Sequence, residues 1–108
     1  MAEQQVMVVL CTFPDLGVAR QIGTVMVEKQ LAACVNVVPG IESIYEWEGK
    51  ICREGEVLGI FKTAAERFEA LKTALEEEHP YDVPEVIGLP VTEGSAPYLD
   101  WVARQAGG

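Results

Sequence analysis

The chain reads as an α+β domain of the ferredoxin-like kind, β-α-β-β-α-β in two layers with one extra helix at the C-terminus. Three observations predict this. Apolar runs of strand length alternate with stretches of helical spacing in that order. The 108 residues, 49% hydrophobic and 23% charged, suffice for one modest core, so residues 1–108 form a single domain. Two of the strands are apolar on both faces, which calls for cover on both sides of the sheet.

Val6 to Phe13 is a continuous apolar run rich in valine, closed by Pro14, and predicts the first strand. Asp15 then caps a helix to about Lys29, with Leu16, Ala19, Ile22 and Met26 at helical spacing. Cys34 to Val38 is the second strand, which Pro39-Gly40 breaks or bulges before Ile41 to Trp47 continue it. Glu48-Gly49-Lys50 predicts a hairpin turn, and the next strand runs from about Glu56 to Lys62. Thr63 and Glu66 stand at capping-box separation, opening a helix with Phe68, Leu71 and Leu75 inward and Pro80 forcing its end. Val86 to Leu89 makes the fourth strand. Ser95 to Arg104 makes the terminal helix, with Tyr98, Leu99 and Val102 inward.

Both main helices of this arrangement cover one face of the sheet. A strand with one wet face alternates apolar and polar residues. Here Val6, Val8 and Leu10 point one way and Met7, Val9 and Cys11 the other, and both sets are apolar. Leu58 and Ile60 against Val57 and Phe61 repeat the pattern. The second face therefore needs another copy of the chain, and the protein reads as an obligate oligomer.

Charge and composition narrow the function. Eight Lys and Arg stand against 17 Asp and Glu, a net charge of -9, which repels phosphate backbones and excludes nucleic acid as partner. No apolar run approaches the roughly 18 residues of a membrane span, and MAEQQ lacks the layout of a signal peptide, so a cytoplasmic protein with no membrane partner is expected. Three cysteines without a C-x-x-C pair argue against a disulfide framework and a zinc site. Cys11 and Cys34 sit in apolar settings and read as small buried hydrophobes, while Cys52, among charges, reads as the exposed thiol. No G-x-S-x-G elbow accompanies the single histidine, and no arginine precedes Arg20 to cradle a phosphate, so no enzyme is expected.

The segment EEEHPYDVPE, Glu76 to Glu85, stands out. Glutamates suit a helix C-terminus poorly, because the exposed carbonyls there already carry partial negative charge. His79 follows them, the one side chain here whose ordinary titration lies near neutrality and a common metal ligand.

The segments LAACVNVVPGIESIYEWEGK, IFKT, HPYDVPE and LPVTEGSAPYLDW, in that order and spacing, resemble the CutA divalent-cation tolerance family over nearly the whole chain. The resemblance implies a homotrimer, similar in shape to the PII signalling proteins, with sheets packed about a threefold axis. It implies a role in tolerance to copper and other divalent metals, with Cu(II) or another divalent cation as ligand, no organic cofactor and no established enzymatic activity. It also implies a pocket between subunits, lined by Trp47, Lys62 and His79 with Tyr81, Glu85 and Tyr98 as neighbours. Cys11 and Cys34 occupy two positions at which family members carry cysteines proposed to hold copper, and Ala74 stands at the third. A thiolate pair suits Cu(I), whereas His79 with carboxylates suits Cu(II) or Zn(II). Interface packing, simple charge pairing and helix capping remain the competing roles of Trp47, Lys62 and His79. The alternative function is a PII-like sensor binding a small anionic ligand through Trp47, Lys62 and His79.

Overall fold

The computed structural model describes residues 5–107; residues 1–4 and 108, the ends of the expected 1–108 domain and most of MAEQQ, lie outside it. The elements run β1 (Val6–Phe13), α1 (Leu16–Glu28), β2 (Cys34–Trp47), β3 (Lys50–Ala64), a 3-10 turn (Ala65–Arg67), α2 (Phe68–Glu78), β4 (Val86–Pro90) and α3 (Ala96–Gln105). The strands form one antiparallel sheet in the order β2-β3-β1-β4.

Asp15 caps α1 as the sequence suggests, its carboxylate accepting the Val18 N–H at 2.8 Å. The helix lays Ala19, Ile22 and Met26 onto the sheet, and α2 adds Leu71 and Leu75. From the sheet, Val9, Cys11, Phe13, Val57 and Phe61 meet them in the main core. Alternation along β1 and β3 puts all five on one face, because Val9 stands opposite Phe61 and Cys11 opposite Gly59. The helix α3 builds a second, smaller cluster with Val6, Ala33, Val102 and Ala106. The chain thus covers part of the second face itself, around Val6, which the strand pattern assigned wholly to another copy. The rest of that face stays open: Val8, Leu10, Leu58 and Ile60 are half-buried, and Val38, Ile87 and Leu89 are exposed.

Three local expectations change. The third strand begins at Lys50 rather than near Glu56, because Glu48 and Gly49 form a two-residue turn with φ of 51° and 80° that pairs the strands from Trp47 and Lys50 inward. Positive φ at both turn residues matches the right-handed twist of paired strands. Thr63 does not cap a helix. It is a buried β3 residue whose hydroxyl donates to the Leu31 carbonyl at 2.7 Å, and the chain enters α2 through the 3-10 turn. Tyr98, expected inward on α3, is 44% exposed. The break at Pro39-Gly40 is a bulge in an otherwise continuous strand, with the register shifting between Val38 and Ile41 and Gly40 at φ 80°. Beyond it, β2 and β3 run on as a two-stranded arm.

Candidate functional site

His79 ends α2. Its backbone N–H bonds the Leu75 carbonyl at 2.9 Å, and its side chain turns away from the helix. Nδ1 accepts the Tyr81 N–H at 3.1 Å, which leaves the ring proton on Nε2 to be donated to the Thr12 carbonyl at 2.7 Å. The ring stacks on Phe13 at 5.2 Å and meets Tyr81 at 4.7 Å. At 7% exposure with both nitrogens bonded inside the chain, His79 is the pin that ties the loop after α2 to the end of β1. Ligation of a metal requires one of those two bonds to open.

That loop forms one wall of a cleft of about 650 Å³, and the arm forms the other. From the loop come Tyr81, Asp82, Val83 and Glu85. From the arm come Tyr45, Trp47, Cys52, Glu54 and Glu56, with Thr12 at the base. The hairpin register explains the arm's share: Tyr45 stands opposite Cys52 and Ser43 opposite Glu54, so these residues share a face with Trp47 and Glu56. Hydroxyl donors fix the carboxylates. Glu56 accepts Ser43 at 2.6 Å through Oε1 and Tyr81 at 2.6 Å through Oε2, and Glu54 accepts Tyr45 at 2.5 Å.

The charge of the cleft is one-sided. Glu54, Glu56, Asp82 and Glu85 line it, and among the described residues no Lys, Arg or His does. The tyrosines register this. The bond to Glu54 pushes the Tyr45 phenol up to about 12, and burial, followed by the bond to Glu56, raises that of Tyr81. The effect reaches the core. Burial first, then the charges of Glu85 and Glu56, pushes the Cys11 thiol up to about 12, so it is a neutral thiol at physiological pH.

Of the residues expected at the site, Trp47, Tyr81 and Glu85 meet in this cleft, with His79 behind Tyr81. Lys62, Tyr98 and Cys34 do not. Cys34 stands opposite Lys62 at the root of the hairpin; its thiol lies 3.5 Å from the Tyr98 hydroxyl, and Lys62 Nζ bonds Asn36 Oδ1. Thirteen strand positions separate Cys34 from Trp47, about 40 Å at strand rise. A pocket using both Trp47 and Lys62 therefore draws on two copies of the chain. Cys11 faces the helices while Cys34 shares the opposite face with Lys62 and Val8, so the sheet separates the two thiols. Among the described residues, no three His, Cys, Asp or Glu side chains converge closely enough to hold one metal ion. Sequence reading missed Tyr45, Glu54, Glu56 and Asp82. Folding the strand at Glu48-Gly49 and reading off the face of Trp47 would have found the first three.

Sheet order, arm and cleft define a small α+β protein with a projecting hairpin. Residues 7–105 match the family described as CutA1 divalent ion tolerance protein, and the chain belongs to that family. It is 47% identical over 100 residues to the divalent-cation tolerance protein CutA of Thermus thermophilus, covering 93% of this chain and 97% of that one. It is 50% identical over 93 residues to human protein CutA, covering 86% of this chain but 52% of the human protein, so it spans about half of that longer relative. Among solved structures, CutA1 from Oryza sativa superposes with a TM-score of 0.92 at 41% identity, covering 94% of each chain.

Proposed function

We propose that the chain serves in divalent-metal tolerance, and that hydrated divalent cations, Cu(II) among them, associate with the carboxylates of the cleft one or two carboxylates at a time. The observation carrying this is the lining itself: among the described residues, four acidic side chains and no cationic one. Carboxylates with hydroxyl neighbours are serviceable ligands for divalent ions. The same lining disfavours a small anion, the competing ligand, which would have to enter against four negative charges. No catalytic role is assigned, since the only histidine spends both ring nitrogens on internal bonds.

The working form we propose is a closed ring of three chains with ferredoxin-like subunits, arranged as in the PII-like trimers. Two different apolar surfaces support a ring. One is the open sheet face with Val38, Ile87 and Leu89; the other is the outer face of the arm, where Ile44 and Ile51 are each 60% exposed. Unlike surfaces that cover each other make head-to-tail contacts, which close into a ring when the rotation per subunit allows it, and do not make a two-fold dimer.

Calorimetric titration of Cu(II) tests the cation site. Glu54→Gln together with Glu56→Gln is expected to weaken binding by about tenfold or more, roughly 1.4 kcal/mol. Cu(II) affinity unchanged in that variant, but lost in Cys11→Ser with Cys34→Ser, would reject the cleft as the site.

A further inference from the structure

No further inference is drawn: the strongest candidate, the groove between α1 and the edge strand β2 lined by Gly23, Val27, Ala33 and Val35, is an apolar surface, and nothing in the structure shows what covers it.

Discussion

At its root the β2–β3 hairpin lies under α1 and α2, with Phe61 fully buried and Val57 6% exposed. Past the bulge at Pro39-Gly40 the same two strands leave the helices behind, and Ile44, Ile51 and Trp47 are 60%, 60% and 64% exposed. Backbone pairing continues through both parts, from Cys34 opposite Lys62 to Trp47 opposite Lys50. Pairing therefore does not distinguish them; burial does. A two-stranded ribbon alone is marginal in water. The root is held by the chain's own core, whereas the arm depends on cross-strand pairs, on its bonds to the loop after α2, and in the proposed ring on a neighbouring copy.

The largest expected effect is at the root. Phe61→Ala removes a fully buried ring and should cost about 3–5 kcal/mol in chemical denaturation. Ile51→Ala in the arm should cost the isolated subunit less than about 0.5 kcal/mol. Comparable losses at the two positions, measured in a monomeric variant, would mean that the arm is packed within its own chain, and the contrast would fail.

Assembly is the next way to break the contrast. Ile44→Asp with Ile51→Asp would bury two unpaired charges if a neighbour covers the arm. Light scattering should then report the 11.8 kDa chain mass, with the far-ultraviolet spectrum of the fold retained. A multimer that survives both substitutions would show that the arm's outer face lies outside the contact.

The same contrast explains what the sequence made legible. Where burial organises the chain, the pattern was readable: β1, α1 and the inward residues of α2 followed from apolar spacing, while Asp15 marked the helix cap and Pro39-Gly40 the break or bulge. Where pairing or polar bonding organises it, the pattern was silent. Lys50 to Gly55 carries no strand alternation, so the start of β3 came into view only through the turn. Thr63 fits a capping box in sequence, but its hydroxyl finds a nearer acceptor in Leu31, brought in from 32 residues away. The site divides likewise. Trp47, Tyr81 and Glu85 were identifiable by resemblance, whereas Glu54 and Glu56 acquire meaning only from hydroxyl partners across the hairpin and the loop.

A smaller effect tests how loop and arm are joined. Tyr81→Phe deletes the hydroxyl donated to Glu56 and leaves the ring against His79. It should cost about 1 kcal/mol and speed hydrogen exchange at the Tyr81 amide, whose acceptor is His79 Nδ1. Unchanged exchange would mean that His79 alone holds the loop, and that the arm contributes nothing to its position.

The finest test compares two groups that resist ionisation for different reasons. Cys11 and Tyr45 both titrate near 12, against ordinary values of 9.0 and 10.0. Each is raised, so its contribution to stability is fully present below the ordinary value and is lost as pH climbs toward 12. The denaturant midpoint should therefore fall between about pH 9 and pH 12. The causes predict different sensitivities within that fall. The shift at Cys11 comes first from burial, so its thiol should stay unreactive toward iodoacetamide in the native protein and react once denatured. That of Tyr45 comes first from one bond on an exposed arm, so Glu54→Gln should return its ultraviolet titration most of the way to 10 with the fold intact. If Glu54→Gln leaves the Tyr45 titration near 12, burial rather than the carboxylate holds the phenol neutral, and the arm is more enclosed than its exposure allows.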